Sequence, residues 1–147
     1  GLGIKAYEMD LDSGLSFDNN DFDFVLAGDV MEHVFDPIFV FSEISRVLRP
    51  NGSFYATIPH DLYWKNRVLP LLGRSFQEGV YRKYGQFKHH TFFSEKLLRF
   101  MLDEAGLKIK SIKYLFTNPI TKKKTYSNSK IFRIFSTLMI IQAIKSN

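Results

Sequence analysis

Residues 22–27 form a short apolar run in which Asp23 is the only charge, the pattern of a strand covered on both faces in a parallel sheet. Gly28 and Asp29 end it. Asp36 offers a carboxylate to the free amides of a following helix, and Pro37 suits the first helical position, where its missing N–H would have had no partner. From Pro37 onward, Ile38, Phe41, Ile44 and Leu48 recur at helical spacing with Val40 and Val47 beside them, while Glu43 and Arg46 fall on the other side. Arg49-Pro50-Asn51-Gly52 stops the helix and supplies a turn in which Asn or Gly takes positive φ. Residues 54–58 make a second buried strand. Strand, crossover helix and strand of this length form a βαβ unit, and small ligands of such sheets sit beyond the carboxyl ends of the strands. Here that means residues 28–33 and 59–61.

The same reading extends in both directions. Residues 3–10 read as a strand with an acidic end at Asp10, and residues 18–21 as a turn cluster. Residues 60–90 read as an insertion: a short helical lid around Tyr63, Trp64, Val68 and Leu69, interrupted at Pro70 and Gly73, then an irregular aromatic stretch. Arg67, Arg74 and Arg82 are its candidates for pairing with a carboxylate or phosphate. Ser94 caps a helix whose apolar stripe is Leu97, Leu98, Met101 and Leu102, and Gly106 closes it; His89 and His90, just before, read as scaffold. Residues 107–116 alternate as a strand whose phase slips near Ser111, as a bulge would cause. Residues 121–130 are a polar connector. Residues 135–145 fit a final antiparallel strand better than an amphipathic helix on a membrane.

Composition adds limits. At 147 residues the chain is long enough for one domain with an ordinary core, and with no cysteine it holds neither a disulfide nor a thiolate metal site. No signal sequence or bilayer-length apolar run is visible, so the cytoplasm is the expected compartment. The net charge of +5 is uneven: residues 1–36 carry nine acids and one lysine, whereas residues 107–147 carry nine Lys or Arg and no acid. No nucleic-acid motif interleaves with those lysines, so no nucleic-acid partner is expected.

Asp10-Leu11-Asp12, Phe22-Asp23-Phe24-Val25, Glu32-His33-Val34, Glu43-Ile44-Ser45-Arg46-Val47-Leu48-Arg49-Pro50-Asn51-Gly52, His90-Thr91-Phe92-Phe93-Ser94 and Glu104-Ala105-Gly106-Leu107 together carry a resemblance. Across residues 3–115 the chain is similar to class I S-adenosylmethionine (SAM)-dependent methyltransferases, of the subgroup resembling methionine-biosynthesis and ubiquinone-pathway enzymes. The resemblance implies an α/β, Rossmann-like, doubly wound and mostly parallel sheet with an antiparallel final strand. Residues 3–10 would be the family's third strand, so its first two strands and their glycine-rich loop lack counterparts, and residues 1–147 read as an amino-terminally truncated methyltransferase domain. Residues 3–10 should then pair directly with the strand at 22–27 or pack poorly, leaving edges unprotected.

The resemblance also implies the site. Asp10 and Leu11 would meet the adenine of SAM, Gly28 and Asp29 would flank the donor, and His33 is the candidate for acid–base contact with the acceptor. Some relatives hold a divalent ion on an acid-x-x-Glu-His arrangement like Asp29, Glu32 and His33; no further ligand is certified by spacing, and no metal is assigned. The implied reaction is methyl transfer from SAM to a small-molecule acceptor, anionic or aromatic in character, at oxygen, nitrogen or carbon. The competing reading is a non-catalytic binding module whose basic end and aromatic lid engage an anionic partner or a membrane surface.

Overall fold

The computed structural model describes residues 3–61, 63–75, 78, 89–118 and 120–146. Its elements run β1 (Phe22–Gly28), α1 (Pro37–Val47), β2 (Leu48–Pro59), α2 (Trp64–Val68), α3 (Glu95–Glu104), β3 (Leu107–Thr117), β4 (Lys124–Ser127), α4 (Lys130–Phe135) and β5 (Leu138–Lys145), with single 3₁₀ turns at Leu11–Ser13 and Leu69–Leu72. The strands form one sheet in the order β1-β2-β5-β3-β4. Among the described residues only β1 and β2 pair in parallel; β2–β5, β5–β3 and β3–β4 are antiparallel. The expected α/β architecture is present, but the sheet is mostly antiparallel where a mostly parallel one was expected: the one parallel pair among the described residues is that of the strand, helix and strand at one edge, and the strands beyond β2 join by antiparallel pairing.

That unit forms for the reasons its sequence gives. The Asp36 carboxylate accepts from the Phe39 N–H at 3.0 Å and Pro37 opens α1. Asn51 takes φ +63°, and Gly52 is needed beside it because a Cβ there would sit 2.8 Å from the Arg49 carbonyl oxygen. Phe54, Ala56 and Ile58 of β2 point to the same face as Met139, Ile141 and Ala143 of β5, and that face is covered by Phe41 and Ile44 of α1 and Leu98 and Leu102 of α3. Ser94 caps α3 by accepting from the Leu97 N–H, and Gly106 follows it at φ +73°. The register of β3 against β5 shifts between Ile109 and Ser111, where the sequence pattern slips.

Four expectations are corrected. Residues 3–10 form no strand: a strand exists only by pairing, and among the described residues nothing pairs with the outer edge of β1, while Ile4 and Tyr7 stay exposed, so of the two alternatives for this segment it is poor packing beside an unprotected edge that is seen. The strand at 22–27 is covered on one face only. Phe24 and Leu26 are 66% and 71% exposed, because both covering helices lie on the side of Val25 and Ala27, and Tyr55 and Ile140 join them around an open apolar hollow. The polar connector at 121–130 contains β4, made by a hairpin with β3. The segment before the last strand is the helix α4, and β5 starts at Leu138. In the insertion, α2 gives way to a 3₁₀ turn containing Pro70 and ending at Gly73; Arg82 and the aromatic stretch around it lie outside the described residues. Among the described residues no helix is long and apolar enough to cross a membrane.

One side chain of α1 gathers most of the ties to the segment at residues 15–19. Arg46 donates to both Glu43 oxygens at 2.7 and 2.8 Å, to the carbonyls of Leu15 and Phe17 at 2.8 Å each, and to Asn19 Oδ1 at 2.8 Å, while Glu43 accepts from the Leu15 N–H. The guanidinium brings the Glu43 pKa down to about 2. Arg46→Ala should therefore cost about 2 kcal/mol in urea unfolding, the loss expected when several charge-assisted bonds go together. The Glu43 contribution is present above the ordinary carboxylate range and disappears as pH falls through about 2, so the gap between parent and variant should narrow in acid to what the carbonyl and Asn19 bonds supply. Equal stability at pH 7 would contradict this assignment.

Candidate active site

Where β1 ends, Asp29 turns into the left-handed region at φ +53°. Its N–H donates to the Thr57 carbonyl at 3.2 Å and to Thr57 Oγ1 at 3.0 Å, and the Thr57 hydroxyl donates to Asp29 Oδ1 at 2.9 Å. Gly28 pairs with Thr57 across the parallel ladder. The loops after β1 and β2 are thus adjacent lips of one edge of the sheet.

Three segments are laced together there by main-chain bonds. The Glu32 carbonyl accepts from the His90 N–H at 2.7 Å and from the Thr91 N–H at 3.4 Å. The Asp61 N–H donates to the Phe93 carbonyl at 3.2 Å, and the Phe93 N–H donates to Asp61 Oδ2 at 2.9 Å. Met31 and Val34 anchor the first loop in the core. On the other side, Asp10 caps the turn Leu11–Ser13, accepting from the Asp12 N–H and the Ser13 hydroxyl, while the Asp12 carboxylate accepts from the Phe35 and Asp36 N–H groups at 2.9 and 3.1 Å. Leu11 packs partly against the core. Asp12 is therefore what carries Asp10 and Leu11 to the end of the loop that Gly28 and Asp29 begin.

The lips hold an unusual concentration of titratable groups. Glu32 is 2% exposed, and burial pushes its carboxyl up. Its Oε2 has no hydrogen-bond partner among the described residues; its Oε1 lies 3.9 Å from His33 Nε2. The His33 and His89 rings meet edge to face with centroids 5.0 Å apart. Ligand-bearing atoms of Glu32, His33 and His89 all lie within 4.8 Å of one another. Burial also pushes Asp61 up, against the opposing effect of the Phe93 N–H, and raises the Tyr63 hydroxyl. His60 is buried and pushed down, with Nδ1–H donating to the Ser136 carbonyl at 3.1 Å.

Residues 1–56 match a family model described as a methyltransferase domain. A demethylmenaquinone methyltransferase from Shouchella clausii is 33% identical over 112 residues, 67% of this chain and 47% of the relative. The chain belongs to the class I SAM-dependent methyltransferases. A ubiquinone biosynthesis O-methyltransferase from Parvibaculum lavamentivorans is 29% identical over 128 residues, 86% of this chain and 49% of the relative. The chain spans about half the length of these curated relatives. Among solved structures, a SAM-dependent methyltransferase from Thermotoga maritima superposes with TM-score 0.69 at 18% identity, covering 92% of this chain and 61% of the other. One from Mesorhizobium loti gives 0.60 at 16%, covering 93% and 68%. SAM is the cofactor of this methyltransferase family.

Within the methyltransferase frame, Gly28, Asp29 and His33 share one loop, and Asp10 and Leu11 reach its end through Asp12. Sequence reasoning left His89 with the scaffold and placed Asp61 on the ligand-bearing edge, within residues 59–61, without a chemical role. Asp61 carried a signal, standing directly after a strand of a βαβ unit. His89 carried none, since the bonds from the following His90 and Thr91 N–H groups to the Glu32 carbonyl and the ring contact with His33 join segments far apart in the sequence. The donor set of one carboxylate and two imidazoles suits a divalent cation, and the orphaned Glu32 oxygen fits one, because a buried carboxylate oxygen without a partner is costly.

Proposed function

We propose that this chain forms the acceptor-side part of an enzyme domain that transfers the methyl group of SAM to a hydroxyl oxygen of a small molecule. The observation that carries the reading is the Asp29–Thr57 junction, which sets the loop bearing His33 beside the end of β2 bearing Asp61. When bound, SAM supplies a methyl group already activated by its sulfonium, so the protein has chiefly to hold donor and acceptor in line and keep water away. Asp10 and Leu11 bind the adenine end; Gly28, lacking a side chain, and Asp29 line the donor. His33, with 43% of its side chain exposed, is the imidazole able to take the acceptor's proton.

A second reading of the same cluster is favoured by the partnerless Glu32 oxygen. Glu32, His33 and His89 would hold a divalent cation, which would supply Lewis acidity toward the acceptor oxygen.

Titration of the isotope-labelled chain with SAM tests the main reading. Saturable shifts should concentrate on the amides of residues 10–12 and 28–33. Asp29→Ala, which strains the left-handed position and cuts the Thr57 tie, should weaken binding about tenfold. His33→Ala should leave SAM binding unchanged and slow methylation of an ortho-dihydroxybenzene probe by about 10²- to 10⁴-fold. A chain that ignores SAM yet binds anionic vesicles is a binding module instead.

A further inference from the structure

A second cleft, of about 330 Å³, lies on the helix side of the sheet between α3, β3 and the turn before α4. Its floor is the place where β3 departs from regular pairing: Ile109 and Ser111 keep partners on β5, and Lys110 is the extra residue between them. Bulges re-aim side chains, and this one leaves Lys110 lining the cleft with Ser111. Arg99 of α3, Arg133 of α4 and Asn128 complete the polar wall around Glu95.

The wall is built, and its charge is unbalanced. Glu95 holds Arg99 on Oε1 at 2.9 Å and Arg133 on Oε2 at 3.1 Å, and its Oε2 also accepts from the Tyr114 hydroxyl. Burial works to raise the Glu95 pKa, but those bonds outweigh it and bring it down to about 2, so the carboxylate is ionised and orients both guanidiniums. Two guanidiniums thus share one carboxylate, Lys110 lines the same cleft, and residues 107–147 contain no acid to balance them. Arg133 Nε is buried with no acceptor among the described residues. A buried donor without an acceptor calls for an ion or water, and forked guanidiniums beside an ammonium match the several acceptor oxygens of an oxyanion.

We propose that this cleft is a binding site for a phosphate-class oxyanion, gripped by Arg99, Lys110 and Arg133 with Ser111 and Asn128 as neutral donors. It is separate from the cluster at Glu32 and does not depend on the methyl-transfer reading. Two sources share the chemistry, a soluble phosphate ester and a lipid headgroup.

The test is an NMR titration of the full chain with inorganic phosphate, followed by phosphatidylglycerol vesicles against phosphatidylcholine vesicles. Saturable shifts should appear at the Ser111 and Asn128 amides and at Nε of Arg99 and Arg133. Lys110→Gln, a change at an exposed bulge position that should keep the parent's spectral dispersion, should weaken phosphate about tenfold, the effect of removing one charge-assisted contact. Lys123→Gln, outside the cleft, should change nothing. Lys110-dependent binding to the anionic vesicles as well would assign the phosphate to a lipid headgroup; Lys110-dependent binding of phosphate alone would assign it to a soluble ester. Shifts that do not saturate, or a Lys110→Gln variant that titrates like the parent, would reduce the effect to general attraction by the basic surface and overturn the proposal.

Discussion

Phe41→Ala should lower the unfolding free energy by about 4 kcal/mol, within the range for deleting a buried aromatic ring. Phe41 is wholly buried at the middle of the inward face of α1, and its ring meets Phe54 of β2 edge to face with centroids 5.9 Å apart. Removing it leaves a void between helix and sheet that Ile44 and Leu98 can close only by moving backbone. A domain of this size has about 5–15 kcal/mol in all, so the variant should be largely unfolded at modest urea, with a lower midpoint and an unchanged slope. Phe41→Leu should cost far less, since most of the space stays filled. A loss below about 1 kcal/mol for the alanine variant would mean that α1 is not seated on this sheet.

The second large effect is a reversal of order. Without divalent cations, Glu32→Gln should be at least as stable as the parent, because the parent buries a carboxylate whose Oε2 has no partner and whose ionisation burial opposes. With Co²⁺ added to about a hundredfold over its dissociation constant, the parent should gain about 2.7 kcal/mol by mass action while the variant gains little. Visible absorption of bound Co²⁺ offers a readout independent of stability, and His89→Ala should diminish it. If Co²⁺ stabilises the parent, Glu32→Gln and His89→Ala alike, the cation is binding elsewhere.

Much of this was legible because it is local. The cap at Asp36, the turn at Asn51 and Gly52, the stripe on α1 and the phase slip before Ser111 are each set by residues a few positions apart, and each appears where the pattern puts it. What failed is what depends on distant neighbours. Residues 22–27 are equally apolar whether one side of the sheet is covered or two, so the exposure of Phe24 and Leu26 was invisible. Residues 3–10 have a strand's composition but do not pair with the edge of β1. β4 is polar and short, and becomes a strand only because the turn at Asn118, whose N–H donates to the Lys123 carbonyl, folds it onto β3. The site divides in the same way. Gly28, Asp29 and His33 fall on one loop and could be named together, whereas His89 joins them through contacts made far along the chain.

The bonds joining the 29–36 loop to the 89–93 segment run between peptide groups, whereas the end of β2 is tied to both partly through the side chains of Asp29, Thr57 and Asp61. Peptide groups are common to every residue except proline, so the seam holds whatever fittings are mounted on it. Evolution could therefore exchange Glu32, His33 and His89 one by one, retuning which acceptor is modified, without having to reinvent the frame that presents them.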